Sequence, residues 1–281
     1  MTDPIGDPRP LTAGVMGWPI VHSRSPRIFA HWFAAAGIEG RYCHLAVCEA
    51  DFEQVFRTLP RAGFRGVNVT VPHKLSALRC ADSATDTARQ IGAANMIRFT
   101  PDGEIIADNT DAYGFIENIR QGAPDWNPAS GPAVVLGAGG AARAVLVALR
   151  DAGAPQIRLI NRTSVKADDL AAELGDPISV IPWQERSSAL ADAATLVNTS
   201  SLGMTGQPKL EIALDDLPET ALINDIVYTP LRTDLLAAGR ARGNPTVDGL
   251  GMLLHQARPS YRAWFGGDPL VDETLRQVCL A

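Results

Sequence analysis

Short apolar runs alternate with stretches whose apolar residues recur at helical spacing, and no internal repeat or low-complexity tract interrupts the alternation. Leu11–Gly17 reads as a strand and Ser25–Ala36 as a helix with Ile28, Phe29, Trp32, Phe33 and Ala36 on one face. Ser25 is placed to cap that helix, and Pro26 sits in its first turn, where a missing N–H costs nothing. Tyr42–Val47 is the next strand, followed by a helix over Asp51–Leu59 that turns Phe52, Val55, Phe56 and Leu59 inward. Gly66–Val71 is a third strand, ended by Pro72, with Asn68 and Thr70 on one face and Val67, Val69 and Val71 on the other. Met96–Phe99 and Glu104–Ala107 flank Pro101-Asp102-Gly103, which has the chemistry of a hairpin turn. Strand–helix–strand alternation of this kind predicts an α/β architecture with a mostly parallel sheet.

A helix over Tyr113–Arg120 leads into Gln121–Pro132, a stretch rich in Pro, Gly and polar residues that reads as a connection between domains. The pattern then restarts: strand Ala133–Leu136, helix Ala141–Ala152, strand Gln156–Ile160, helix Val165–Leu174, then strands Thr195–Thr199 and Ala221–Val227. A helix over Leu250–Trp264 contains Pro259, which should kink or split it, and a helix over Leu270–Leu280 follows. The length of 281 residues accommodates two modest domains.

Composition narrows the function classes. With 46% hydrophobic and 20% charged residues the chain has ordinary globular composition, which excludes a disordered or fibrous protein. Thirty-one acids against 25 bases give a net charge of −6, so no global basic field attracts nucleic acid, and any bound anion must be held locally. No run reaches the ~20 apolar residues of a membrane span, and no signal peptide is read. Cys43, Cys48, Cys80 and Cys279 form no CxxC pair and no secreted framework, so reduced thiols in the cytoplasm are expected, with Cys43 and Cys48 packed in the core. Histidines 31, 44 and 255 lack ligand spacing, and no HExxH occurs, so no metal is expected.

The strongest local signal is Val134-Val135-Leu136-Gly137-Ala138-Gly139-Gly140-Ala141-Ala142-Arg143, a GxGxxA turn between a buried strand and a helix. Gly137 permits the tight turn, Gly139 lets backbone N–H groups approach a pyrophosphate, and Ala142 allows close helix–strand packing. The start of the following helix presents partial positive charge to the phosphates. NAD-binding units usually end their next strand in an acid that accepts from the ribose 2′-OH. Here that strand ends Ile160-Asn161-Arg162-Thr163-Ser164-Val165-Lys166, with two bases and no acid. The set suits a 2′-phosphate; about 2–4 kcal/mol from two such contacts would favour NADP by tens to several hundred-fold. Asn198-Thr199-Ser200-Ser201-Leu202-Gly203-Met204 follows another strand of this half and is expected to edge the nicotinamide pocket, with a plain loop as the alternative.

Three polar loops follow strands in the first half: His22-Ser23-Arg24-Ser25, Asn68 to Lys74, and Asp108-Asn109-Thr110-Asp111. Together they suit a polyhydroxylated acidic small molecule, since α/β sheets bind ligands beyond the carboxyl ends of their strands. Singly, each has an ordinary explanation: Ser25 and Asp111 as helix caps, Lys74 as a surface base. His22 reads better as a satisfied structural histidine than as an acid, and His73 as a tuning neighbour of Lys74, a cap or an exposed residue.

These strings resemble the shikimate dehydrogenase family. Gly17 to Pro26, Asn68 to Lys74, Asp108 to Asp111, Gly137 to Arg143, Asn161-Arg162-Thr163 and Asp248-Gly249-Leu250-Gly251-Met252 stand in the family's order and spacing over nearly the whole chain. The resemblance implies two α/β domains: a substrate domain over residues 1–112 plus 249–281, and an inserted Rossmann-type NADP-binding domain over 113–248. It implies NADPH-dependent reduction of 3-dehydroshikimate to shikimate in aromatic amino-acid biosynthesis, by a monomer or homodimer. Lys74 and Asp111 would be the catalytic pair; Ser23 and Ser25 would hold the substrate carboxylate, with Tyr228 near it. Asn68, Thr70, Asn95, Asp111 and Gln256 would reach hydroxyls or ring substituents. Gly137, Ala138, Gly139, Gly140, Ala141, Asn161, Arg162, Thr163 and Lys166 would hold NADP, with Thr199 beside the pocket and Gly249 near the nicotinamide. Two positions depart from the family pattern: Met96 replaces a common Thr after Asn95, and Ala112 replaces a common Gly after Asp111.

The pair also makes chemical sense without the family. Hydride delivery to a carbonyl leaves an alkoxide that needs a proton and a nearby positive charge, and a lysine ammonium oriented by a carboxylate supplies both. A quinate/shikimate dehydrogenase using NAD and a non-catalytic NADP-binding sensor are the competing readings; Ser25 and the bases at 162 and 166 favour the biosynthetic enzyme over the first, and the presence of both Lys74 and Asp111 disfavours the second.

Overall fold

The computed structural model of the chain describes residues 6–281. They form two compact units, one made of residues up to Thr110 together with Leu253–Ala281, the other of Asp111–Met252.

The first unit is built on six strands, β1 (Thr12–Gly17), β2 (Arg41–Ala46), β3 (Gly66–Val69), β4 (Ser83–Ala84), β5 (Met96–Phe99) and β6 (Ile105–Asp108), in the order β2-β1-β3-β5-β6-β4. Parallel pairing joins β1 to β2 and β3, and β4 to β6, whereas β5 runs against both of its neighbours. The reversal is dictated locally. Gly103 takes φ +91°, open to glycine, and Thr100 closes the hairpin by accepting from Gly103 N at 3.0 Å. From β1 the chain crosses to β2 on one side through α1 (Ser25–Ala36) and returns through α2 (Phe52–Thr58) to β3 on the other. This creates a topological switch point between β1 and β3. Helices α3 (Lys74–Cys80), α4 (Asp86–Ile91) and α10 (Glu273–Leu280) complete the unit, together with most of α9 (Leu250–Phe265). One face of the sheet rests on Phe52, Phe56, Val67, Ile97 and Phe99. An aromatic cluster ties α1 to α9: Phe29 stacks on Tyr42 at 3.9 Å and lies against Tyr261, Trp264 and Phe265.

The second unit opens with α5 (Asp111–Gly122) and carries β7 (Ala133–Leu136), β8 (Ile157–Ile160), β9 (Ile178–Ile181), β10 (Thr195–Asn198), β11 (Leu222–Asp225) and β12 (Thr246–Val247). All five ladders are parallel, and the order β12-β11-β10-β7-β8-β9 is that of a doubly wound Rossmann sheet. Its helices are α6 (Gly140–Asp151), α7 (Ser164–Leu174) and α8 (Asp234–Arg242). The apolar run of β7 and the Thr195–Asn198 strand β10 are buried throughout, as a sheet covered on both faces requires. Among the described residues no helix is long and apolar enough to cross a membrane.

Several expectations need correction. Strand β3 stops at Val69, so Thr70 lies beyond it and Val71 is 68% exposed instead of packing with Val67 and Val69. Ser25 does not cap α1; it is the first helical residue, Arg24 holds the cap position, and no side chain caps the helix. Pro259 does not split α9, which runs unbroken because Tyr261, Trp264 and Phe265 beyond the proline are anchored in the aromatic core. The last helix starts at Glu273 rather than 270, where Asp272 accepts from Leu275 N. Cys43 is exposed on the edge strand β2, and Cys48 is half-buried with its thiol on Asp51 Oδ2 at 3.2 Å, so neither packs in the core. His22 is exposed. His73 is buried, donating from Nε2 to the Val47 carbonyl at 2.7 Å and stacking on Phe52, which fixes the start of α3.

Candidate active site

At the switch point of the first unit, polar side chains from four chain segments form one hydrogen-bonded set. The segment before β5 reaches this edge because β5 runs antiparallel, so its start lies beside the end of β3: Met96 pairs with Asn68, and Val69 N donates to the Asn95 carbonyl at 2.8 Å. Asn68 Nδ2 donates to the same carbonyl at 3.1 Å and to Ser260 Oγ at 2.9 Å, while its Oδ1 accepts from the Tyr42 hydroxyl at 2.8 Å. Asn95 is buried; its Oδ1 accepts from Thr110 N at 2.7 Å and Nδ2 donates to Gln256 Oε1 at 3.2 Å. Gln256 and Ser260 are four residues apart on α9 and present the same face.

Ser23, on the loop after β1, and Ser25, the first residue of α1, have hydroxyls 3.3 Å apart, and His44 Nε2 holds the Ser23 carbonyl at 3.0 Å. Thr70 anchors the loop after β3: its N donates to Met16 O at 2.9 Å and its carbonyl accepts from His73 N at 2.9 Å. Lys74 is half-buried at the first position of α3, and its carbonyl accepts from Ala94 N at 2.9 Å, which ties it to the segment bearing Asn95. Tyr42 and Ser260 were not identified from sequence. Ser260 could have been found from its i,i+4 relation to Gln256; Tyr42 carried no local signal, because the sheet order alone brings it to Asn68. Burial holds the Tyr42 phenol well above its ordinary pKa, so it remains a donor, although a hydrogen bond with Ser25 opposes the shift.

The second unit holds the other polar set. Asp111 is its first residue, 2% exposed, at the start of α5 rather than in a capping position before it. A pocket of about 300 Å³ lies at the switch point between β7 and β10 and is lined by Gly137, Ala138 and Gly139 of the glycine turn, by Asn161, Arg162, Thr163 and Lys166 after β8, by Trp183, and by Thr199 to Leu202 after β10. Gly137 takes φ +109°, and a Cβ there would stand 2.9 Å from Thr199 Oγ1 and 3.0 Å from Ser200 N. Thr199 Oγ1 donates to the Leu136 carbonyl at 2.8 Å and locks the two loops together. At Gly139 a Cβ would meet no protein atom within 4 Å, so the open backbone is free to take a group from outside. Ala142 is fully buried at the helix–strand contact.

Gly140 and Ala141 open α6 but do not line the pocket, and neither do Tyr228, just after β11, and Gly249, just before α9. A Cβ on Gly249 would lie 2.1 Å from the Ile226 carbonyl oxygen, and one on Gly251 1.9 Å from Asn118 Oδ1, so close backbone packing explains both glycines of that string. Arg143, the last residue of the glycine string, is bidentate on Glu173 at 2.6 Å. Arg162 and Lys166 are exposed and unpaired with any acid among the described residues. A pyrophosphate and a 2′-phosphate therefore fit the donors present: an accessible glycine backbone at a helix start, and two uncommitted cations.

The doubly wound unit with its glycine turn, joined in one chain to a second α/β unit bearing a polar switch-point site, defines a nucleotide-dependent oxidoreductase of two domains. The family described as shikimate dehydrogenase substrate binding domain matches residues 15–97, and that described as shikimate / quinate 5-dehydrogenase matches 125–228. The chain belongs to the shikimate dehydrogenase family. It is 56% identical over 269 residues to the shikimate dehydrogenase (NADP(+)) of Paramagnetospirillum magneticum, covering 96% of this chain and 98% of the relative. Among solved structures, shikimate 5-dehydrogenase from Thermus thermophilus in complex with NADP(H) and shikimate superposes with TM-score 0.85 at 35% identity, covering 96% of this chain and 98% of that one. Quinate dehydrogenase from Corynebacterium glutamicum in complex with NAD gives TM-score 0.90 at 27% identity, covering 96% and 99%.

Proposed function

We propose that this chain catalyses the reversible, NADPH-dependent reduction of 3-dehydroshikimate to shikimate within aromatic amino-acid biosynthesis. The observation that carries the reading is the hydrogen-bonded set of Asn68, Asn95 and Gln256 at the first switch point, flanked by the paired serines and by Lys74. Such an array offers several neutral donors and acceptors and a cation, which suits a ring bearing hydroxyls and a carboxylate.

Ser23 and Ser25 hold the carboxylate, with Tyr228 assisting, and Asn68, Thr70, Asn95 and Gln256 orient the hydroxyls. NADPH, when bound, supplies the hydride to the substrate carbonyl carbon. Lys74 Nζ stabilises the charge that develops on the carbonyl oxygen and delivers the proton that completes the alcohol; Asp111 orients the ammonium. In the oxidative direction Lys74 takes that proton back. Gly137 to Gly139 and Thr199 would frame the pyrophosphate, with Gly140 and Ala141 opening the helix behind them; Asn161, Arg162, Thr163 and Lys166 would hold the 2′-phosphorylated ribose, and Gly249 would serve the nicotinamide. The four cysteines are all free thiols, which supports a reducing compartment such as the cytoplasm.

The test is a comparison of kcat/KM for shikimate and quinate, each with NADP and NAD. Shikimate with NADP is expected to give the highest value. Higher efficiency with quinate and NAD would replace this reading with that of a quinate dehydrogenase, and absence of turnover with all four pairs would leave a nucleotide-binding sensor.

A further inference from the structure

We infer that Trp183 is the adenine-contacting residue of the cofactor pocket, an assignment that rests on reading that pocket as an NADP site. Trp183 opens the short 3-10 turn that follows β9. Because β9 lies next to β8, this turn stands beside the segment after β8 that carries Arg162 on its loop and Lys166 in the first turn of α7, and Trp183 lines the same cavity. The rest of the lining already matches the other parts of the cofactor: glycine backbone for the pyrophosphate, two bases for the 2′-phosphate, and Asn161 and serine hydroxyls for the ribose. What remains next to a 2′-phosphorylated ribose is its base. A purine is planar and poorly hydrated on its faces, and an indole is the protein group best matched to it. Trp183 is the aromatic residue among the described lining residues.

The indole is held before any ligand arrives. Arg186 lies over the ring with its guanidinium carbon 4.7 Å from the centroid. That guanidinium is itself fixed, donating from Nε to the Glu211 carbonyl at 2.7 Å and from Nη1 to the Trp183 carbonyl at 3.0 Å. The ring also packs against the buried cluster around Leu190 and Leu214. A side chain immobilised in this way loses little rotamer freedom on binding, so most of the stacking appears as affinity.

The probe is adenosine 2′,5′-bisphosphate, titrated calorimetrically into the full chain alongside NADP and NAD. Trp183→Ala is expected to weaken all three by a common factor of about five or more, because all three share adenine, and Trp183→Phe to restore most of the loss. Arg162→Ala should instead weaken the bisphosphate and NADP while sparing NAD. Binding of the bisphosphate by Trp183→Ala within twofold of the parent, or a loss confined to the two 2′-phosphorylated ligands, overturns the assignment. In the parent, the bisphosphate should quench tryptophan fluorescence, and Trp183→Phe should abolish that component; quenching retained in Trp183→Phe overturns it too, even if Trp183→Ala fails to fold. If Arg162→Ala weakens the bisphosphate and Trp183→Ala does not, only the adenine contact falls. If neither does, the NADP reading of the pocket falls with it.

Discussion

The hydroxyl of Tyr42, on the edge strand β2, donates a 2.8 Å hydrogen bond to Asn68 Oδ1 on β3, across the intervening strand β1. Ala13 stands opposite Tyr42 on β1 and carries only a methyl group, which leaves the ring room to cross. Phe29 stacks on the ring from α1 and holds it there. Tyr42→Phe should therefore leave the packing intact but strip Asn68 of its donor. Asn68 is half-buried, so leaving its acceptor unpaired costs toward the low end of the buried range, about 1 kcal/mol. A lower urea midpoint and a several-fold higher KM for shikimate are expected, with kcat affected less; steady-state kinetics showing KM and kcat both unaltered would remove Asn68 from the substrate site.

Lys74 is the proposed proton donor, and its backbone is secured from two sides, by His73 on Val47 and by Ala94 on its own carbonyl. Truncation of the side chain should leave the fold in place. Lys74→Ala is expected to lower kcat by about 10²–10⁴-fold, the usual range for removing a general acid–base group, while KM for shikimate changes far less. Turnover surviving within a few-fold would assign the proton to another group.

Gly137 has the one backbone conformation of the glycine turn that disfavours a side chain, at φ +109°. A methyl group there would also press on Thr199 Oγ1 and Ser200 N, moving the two loops that frame the pocket. Gly137→Ala should reduce affinity for NADP at least tenfold and lower the thermal midpoint. Gly139→Ala meets no protein atom, so it is expected to leave the midpoint unchanged while still weakening NADP. Equal loss of stability in both variants would contradict this division of roles.

Asp225 is fully enclosed and accepts from Thr233 Oγ1 at 2.7 Å, Asn198 Nδ2 at 2.9 Å and Val227 N at 3.1 Å. Burial nevertheless outweighs these bonds and raises its pKa from 3.8 to about 6. The folded state thus holds this proton more tightly than the unfolded chain. The resulting stabilisation is full below pH 3.8 and is lost as pH rises through about 6. Asp225→Asn keeps the shape and removes the titration. Relative to the parent, it should gain on the order of 2–3 kcal/mol between pH 4 and pH 7, read from urea unfolding at the two pH values. A constant difference between the two proteins would show that Asp225 does not titrate in this range.

Both units were legible in the chain wherever the relevant physics is local. The GxGxxA turn, the acid-free end of β8 and the hairpin at Gly103 each depend on a few adjacent residues, and periodicity placed the long helices within a few positions of where they lie. Sites of polar residues after strands were visible for the same reason, since a strand's end and its loop are neighbours in sequence. Other properties depended on tertiary structure. Burial of His73 and exposure of Cys43 follow from strand order, which places β2 at an edge and α2 against α3. Continuity of α9 through Pro259 follows from aromatic packing beyond the proline. Pairing of Tyr42 with Asn68 and of Asn95 with Gln256 spans 26 and 161 residues. The placement of Trp183 beside the bases after β8 follows from the adjacency of β8 and β9. Local backbone preference and side-chain periodicity act over a few residues and are written in order along the chain. Which side chains complete one another's hydrogen bonds is settled only when distant strands become neighbours.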